Sequence, residues 1–321
     1  MTASSSWSIP QEFEDRLDTI RAGTIWKGMR NDTKRMALNN RRDQILPMFG
    51  SYLWNIEDQF KSAIQARATE ADWKPNLSLH IRILWAQIYT AARFGSSEFQ
   101  DRLVIELMLL HGTGSMSCVR DDNQTIVASM ANRILWTDMP FFAEDMIYFW
   151  ILEFATMSRY QRRNLHYFLA TVAGGNIISD KLCAIGILVL REAFETPREM
   201  GSDNSEDDED ENRTIQDLTV LDLFGCAELW MLKARDQIMR LAANNFSDYP
   251  KEIGRLGPLA REAGVPDNGG LSQERLQFWM HRFRGIVRSR QPERNGQIPQ
   301  ERWPDSWLMG TNSPRERGPE T

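Results

Sequence analysis

A chain of 321 residues with 42% apolar and 26% charged residues can bury a sizeable core as one large helical domain or two smaller ones, and its composition is that of an ordinary folded protein. The formal net charge of −6 is local, because residues 203–211 carry seven acids and no base and leave the rest of the chain nearly neutral. That balance argues against a broadly basic nucleic-acid surface, and three widely spaced cysteines (Cys118, Cys183, Cys226) argue against a disulfide framework.

Taken in chain order, nearly every periodic segment has helical period. The first helix is predicted from Ser8, with Pro10 in its opening turn and Phe13, Leu17 and Ile20 on one face. Met36 to Ile64 reads as two helices broken near Pro47. Leu77 to Phe94 follows, with Ile81, Leu84, Trp85 and Ile88 as its stripe, and then Phe99 to Leu110, with Leu103, Leu107 and Leu110 in step. Asp121 or Asp122 is expected to cap a helix bearing Val127, Met130, Ile134 and Leu135. Trp136-Thr-Asp138-Met-Pro140 is a tight turn into the next helix, with Pro140 in its first turn and Asp138 as its cap.

Ser158 and Gln161 form a capping box that opens a helix with Leu165, Phe168, Leu169 and Val172, stopped by Gly174-Gly175. Ser179 starts another, ending near Glu195 before Pro197. After the acidic insertion, Thr214 to about Ala243 is one long helix or two broken near Gly225, and a Gly/Pro-rich connector over 250–270 leads on. Ser272 caps a final helix, in which Leu276, Trp279, Phe283, Ile286 and Val287 make an apolar face against Arg275, His281, Arg282, Arg284 and Arg288. The expected fold is all-α: an irregular array of roughly ten antiparallel helices with no regular repeat. It forms a single helical domain over residues 8–290, with a disordered acidic insertion at 201–213 and a disordered tail at 291–321, where Trp303 and Trp307 are candidates to dock on the core.

The N-terminus has no basic region followed by an apolar core. The longest apolar run, near Ile185–Leu190, falls short of the ~20 residues that span a bilayer. Free thiols, no membrane segment and no secretory signal make an intracellular protein, cytoplasmic or nuclear, the expectation.

Three places together resemble a fungal family of uncharacterised all-helical proteins, a domain of unknown function. They are Leu135-Trp136-Thr-Asp138-Met-Pro140, then Leu190-Arg-Glu192-Ala-Phe194-Glu195 followed by Pro197 and a variable insertion, and the C-terminal motif Glu274-Arg275-x-x-Phe278-Trp279-x-x-Arg282-Phe283. Leu276 stands where the family pattern has a Trp. The resemblance covers roughly residues 80–290. It implies a helical fold and carries no assigned activity or ligand.

Residue chemistry points to no cofactor. His80, His111, His166 and His281 stand on separate predicted helices without paired metal-ligand spacing, and His166 reads as a boundary histidine. Cys118 lacks a nucleophile-elbow motif, and Cys183 and Cys226 fall on apolar helix faces. The enzymatic rival is a magnesium-dependent terpene-cyclase-like all-α fold. Asp121-Asp122 would supply its acidic pair and Asn244, Ser247 and Glu252 its distal motif, but Thr125 replaces the third acid and Pro250 breaks the second stretch. The basic back of the last helix, with Arg288, Arg290 and Arg294, is the nucleic-acid alternative, weakened by aromatics on the buried stripe. Ser202 and Ser205 sit in an acidic context suited to phosphorylation. The preferred reading is a non-catalytic scaffold whose grooves bind an as yet unidentified protein partner. Trp136, Asp138, Pro140, Glu274, Arg275, Phe278, Trp279, Arg282 and Phe283 form its structural motif, with Arg275 and Arg282 in contact with Glu274 or a helix end.

Overall fold

The computed structural model describes residues 31–36, 42–175, 177–202 and 208–290. The helix expected from Ser8 and the Trp303 and Trp307 positions lie outside the described residues. The chain divides into two compact units, Met1–Met280 and His281–Thr321.

Residues 31–36 are helical, and the chain then runs through α1 (Arg42–Gln65), α2 (Glu70–Phe94) and α3 (Ser97–Gly112). Two short antiparallel pairs follow: β1 (Ser117–Val119) with β2 (Thr125–Val127), and β3 (Ser129–Met130) with β4 (Arg133–Ile134). Next come α4 (Phe142–Glu153), α5 (Arg159–Gly174) and α6 (Ser179–Phe194). A 3-10 turn (Ile215–Asp217) precedes α7 (Val220–Lys233) and α8 (Arg235–Ala243). Two short helices, α9 (Lys251–Gly254) and α10 (Pro258–Glu262), lead to α11 (Gln273–Arg290), which runs into the second unit. Among the described residues the fold is all-α but for these four short strands.

The core of the first unit is built around α5, which packs on α7, α2, α3 and α6, while α4 closes against α2 and α6. Residues 81–94 of α2 and 182–194 of α6 are buried on every face, so these helices sit inside the bundle and are not amphipathic. Close helix approach is set by small residues. A Cβ on Gly186 of α6 would stand 2.7 Å from the Trp230 ring of α7, so only glycine lets the two helices lie at this distance.

Helix starts follow side-chain chemistry. Ser158 Oγ accepts from the Gln161 backbone N–H while Gln161 Oε1 accepts from the Ser158 N–H, both at 3.3 Å, as the capping box predicts. Thr69 and Thr219 do the same work with Asp72 and Asp222, whose carboxylates accept the cap N–H at 2.9 Å. The Thr69 cap starts α2 at Glu70, well before the expected Leu77.

Four expectations are corrected. The helix over Val127–Leu135 is absent. Asn123 is left-handed (φ 65°) and Asp122 accepts the Gln124 N–H, which turns the chain back on itself. Ala131 and Asn132, both left-handed, then close β3 on β4 by a two-residue turn of the kind that matches strand twist. The β-branched run Thr125-Ile-Val127 wins over an apolar spacing that also fits a helix. Pro47 does not break α1. It lies in the second turn, as Pro75 does in α2, where it forfeits a single backbone bond while Ile45 and Phe49 hold the turn in the core. The long helix after Thr214 divides at Ala234 and not at Gly225. Finally, Asp138 does not cap α4. Its carboxylate accepts the Ile134 N–H at 2.6 Å, and the N-cap position belongs to Phe141 in the left-handed region, with Pro140 before the helix and outside it.

Candidate functional site

The family-like segments converge on two buried arrangements. In the first, α6 ends with Arg191, Glu192 and Glu195 in or beside its last turn, and α11 begins with Arg275 and Trp279 on one face. Glu195 and Arg275 are both wholly buried. Arg275 Nε donates to Glu195 Oε1 at 2.6 Å and Nη2 to Oε2 at 3.2 Å. Its remaining N–H groups reach the carbonyls of Gly254 (2.6 Å), Gly270 (2.7 Å) and Arg255 (3.0 Å), so all five guanidinium donors are used and the end of α9 is fastened to α11. Trp279 Nε1 also donates to Glu195 Oε1, at 2.6 Å, and the Gly257 N–H to Oε2, at 2.5 Å. Gly257 is required here because a Cβ would lie 2.6 Å from that of Glu195.

Alongside, Glu192 accepts from Arg198 Nη2 at 2.5 Å, and Arg198 spreads its other donors over the carbonyls of Glu192, Ile215 and Leu218. Arg191 reaches the carbonyls of Glu252 and Ile253. Burial, foremost, holds the Arg191 guanidinium below its ordinary range, with Arg255 and Arg275 adding to it. The carboxylates thus face guanidinium, indole and backbone N–H donors, while the guanidinium groups spend most of their N–H bonds on those carboxylates and on backbone carbonyls. The arrangement fixes loops; it leaves little room for a reacting group.

The second arrangement surrounds the Trp136 turn. Trp85 Nε1 donates to the Pro140 carbonyl at 2.9 Å and meets Trp136 and Phe142 edge-on at 6.3 and 5.1 Å. Trp136, Met139 and Phe141 all have positive φ, at 69°, 39° and 68°, a costly run for residues with a Cβ. Burial of Trp136 and Met139 and the Arg82–Asp145 pair at 2.7 Å, with Arg82 over the Phe141 ring, hold it in place.

Of the residues singled out in the sequence, Arg275 and Trp279 thus come together, and so do Trp136 and Pro140 around Trp85. Glu274 is exposed and is not the acceptor for Arg275, and Phe278 is half-buried. Arg282 and Phe283 lie in the second unit, on the following turn of α11. Glu195, Trp85 and Arg198 were missed as site residues. Sequence spacing carried no sign that Glu195 meets a residue 80 positions away.

His166 is fully buried, not at a boundary. Trp150 Nε1 lies 2.9 Å from its Nε2 and Trp230 Nε1 lies 2.7 Å from its Nδ1. Burial, with Arg162 nearby, pushes its pKa down to about 3, so the ring stays neutral. Cys118, Cys183 and Cys226 are free and buried, and burial pushes the Cys183 thiol well up, away from reactivity. Asp121 and Asp122 sit exposed in the β1–β2 turn, whereas Asn244, Ser247 and Glu252 lie beyond α8. Among the described residues no group of three His, Cys, Asp or Glu side chains is placed to hold a metal, and no helix is long and apolar enough to cross a membrane.

Residues 208–213 of the acidic insertion lie against the α4–α5 corner. Arg213 Nε donates to the Ala155 carbonyl at 2.7 Å, and the Asp210 N–H to that of Thr156 at 3.0 Å. Glu209 meets Gln161, Arg93 and Lys34. Burial pushes its carboxyl up, but the Gln161 bond and the two cations outweigh this and hold it below the usual range. Beside it a cleft of about 270 Å³ is lined by Trp150, Leu152, Phe154, Thr156, Arg213 and Gln216.

Among the described residues, α3 groups several exposed large apolar side chains on one face. This helix buries Phe99, Leu103, Val104 and Leu107, yet its opposite face exposes Ile105, Met108 and Leu109 to 54%, 45% and 61%. These three follow one another at helical steps and form one apolar stripe, flanked by exposed Glu98, Asp101, Arg102 and Glu106.

A protein-family model described as "Protein of unknown function (DUF3632)" matches residues 85–283. A curated relative, the oxopyrrolidines biosynthesis cluster protein G of Penicillium oxalicum, is 33% identical over 216 residues, which is 66% of this chain and 60% of that protein. The chain therefore matches well under two thirds of that relative's length. No solved structure matches.

Proposed function

The chain belongs to the DUF3632 family of proteins of unknown function, and on that premise we propose that it is a non-catalytic helical scaffold that binds a protein partner through the outer face of α3. The observation that carries this reading is the exposed stripe of Ile105, Met108 and Leu109, on a helix whose inner face is already fully used by the core. A stripe at three- and four-residue steps, bordered by three acids and one arginine, fits an apolar helix flanked by basic residues. The buried Arg275–Glu195 pair supports the reading from the other side, because all five donors of Arg275 are spent on Glu195 and on loop and helix-end carbonyls. By analogy with the biosynthesis-cluster protein of Penicillium oxalicum, the partner sought is an enzyme encoded in such a cluster.

The test is affinity capture from the native organism, comparing the full chain with Ile105→Asp/Leu109→Asp and with a chain lacking residues 202–212. A partner retained by the loop deletion and lost by the α3 variant is the expected result. Equal recovery by all three chains overturns the assignment to α3, and no recovery alongside magnesium-dependent binding of a prenyl diphosphate overturns the reading in favour of an enzyme.

A further inference from the structure

Glu209 fills a site that other parts of the chain have built. Arg93, in the last turn of α2, and Gln161, in the first turn of α5, are only 8% and 7% exposed. The Gln161 side-chain oxygen accepts the Arg93 Nε–H at 3.0 Å and the Ser158 N–H at 3.3 Å, which fixes the amide and turns its N–H groups outward. There they meet the Glu209 carboxylate. Arg93 Nη2 stands 3.6 Å from the same carboxylate and Lys34 Nζ 3.7 Å from it. Arg93 has a second counterion in Glu153, at 2.9 Å. Two cations thus face two carboxylates. Without Glu209 the corner would keep one positive charge in excess and an amide N–H aimed at a missing acceptor.

The corner reads peptide backbone beside the carboxylate. The Asp210 N–H donates to the Thr156 carbonyl at 3.0 Å, and Arg213 Nη2 donates to the Asp208 carbonyl at 3.0 Å. Carboxylate and flanking peptide groups are engaged together, which is the recognition of an acidic peptide and not of a free organic acid. The present occupant is held loosely. Asp208, Glu209, Asp210 and Glu211 are consecutive and all exposed, and like charges at this density repel. The Lys34–Glu209 pair is 42% and 39% exposed, so salt screens it.

We propose that Arg93, Gln161 and Lys34 form a binding site for an acidic peptide segment of a partner, and that residues 208–213 are an autoinhibitory strap whose Glu209 holds the site in cis. The strap leaves only in exchange for another carboxylate, because the corner cannot shed its counterion without cost. Tethering gives Glu209 a high effective concentration, so a partner's acidic segment must outcompete it. The site is separate from the α3 face and does not rest on it.

A capped synthetic peptide of residues 208–212 tests the proposal in trans, with the full-length chain as receptor and fluorescence anisotropy as the readout. It is expected to bind the Glu209→Ala protein at least about tenfold more tightly than the unmodified protein, whose tethered strap competes. The same peptide carrying Glu209→Ala should bind neither. Hydrogen exchange reads the release itself: the Asp210 amide should exchange at least about threefold faster in the Glu209→Ala protein, while α5 and α6 keep their protection. Equal peptide binding by the two proteins, or binding by neither, overturns the proposal, as does binding that survives Glu209→Ala in the peptide. Unchanged Asp210 exchange overturns it by removing Glu209 as the catch. Displacement of the peptide by an equal concentration of free glutarate assigns the site to small organic acids and overturns the peptide reading. None of these outcomes depends on capture through α3, so the two readings fail separately.

Discussion

Arg275→Met removes one side of a wholly buried ion pair and tests whether the two family-like segments serve the fold. In the native protein four donors converge on the Glu195 carboxylate: Arg275 Nε and Nη2, the Gly257 N–H and Trp279 Nε1. The substitution keeps an unbranched apolar side chain but leaves the carboxylate with two neutral donors in a site without water access. It also orphans the carbonyls of Gly254, Arg255 and Gly270. Breaking a buried pair in this way costs about 3–5 kcal/mol. With a urea slope near ~3 kcal/mol per molar, the unfolding midpoint should fall by about 1–1.7 M. Glu195→Gln in the same background removes the stranded charge, so the double variant should cost less than the sum of the singles by at least about 2 kcal/mol. A midpoint for Arg275→Met within about 0.3 M of the unmodified protein, or strict additivity in the cycle, refutes a structural role for the pair.

Acid sensitivity should follow from His166. Its folded pKa of about 3 lies below the unfolded value near 6.5, so its contribution is complete above pH ~6.5 and is lost as pH falls toward 3. Urea midpoints at pH 7.5 and 5.0 should therefore differ by about 2 kcal/mol of stability on its account, and His166→Gln should flatten that dependence; an unchanged pH profile contradicts the burial. Gly186→Ala should destabilise by about 1–3 kcal/mol in calorimetry, because its Cβ meets the Trp230 ring, itself held between α6 and His166. Gly225→Ala, with nothing within 4 Å, should be neutral or stabilising by up to about 1 kcal/mol in the same assay. Ile105→Asp/Leu109→Asp should leave thermal stability within about 0.5 kcal/mol per site, since both side chains face solvent.

The sequence told most where local chemistry decides. The Ser158–Gln161 box and the Ser272 cap, which accepts the Arg275 N–H at 3.1 Å, were both legible because each is settled within one helical turn. The hairpins at 117–134 were not, because Val127, Met130 and Ile134 fit a helical stripe as well as they fit strands, and the left-handed residues that decide the matter, Asn123, Ala131 and Asn132, carry a weak signal. Periodicity located the final helix but put Arg275 on its basic back, whereas Arg275 is wholly buried beside Trp279. It gave no hint of Glu195, since the choice of facing helix is tertiary. The outer face of α3 was open to reading: Ile105, Met108 and Leu109 fall outside the stripe of Leu103, Leu107 and Leu110, and an apolar set on both sides of one helix marks either full burial or an interaction face.

The most direct test of the division between a buried charge network that serves the fold and an α3 face that serves binding is one paired measurement. Melting temperature and partner capture are read for Arg275→Met and for Ile105→Asp/Leu109→Asp side by side. The predicted result is a large drop in melting temperature without loss of partner identity for the first, and full stability with lost capture for the second. Capture that survives the α3 substitutions, or an Arg275→Met protein that melts normally but binds nothing, would contradict it.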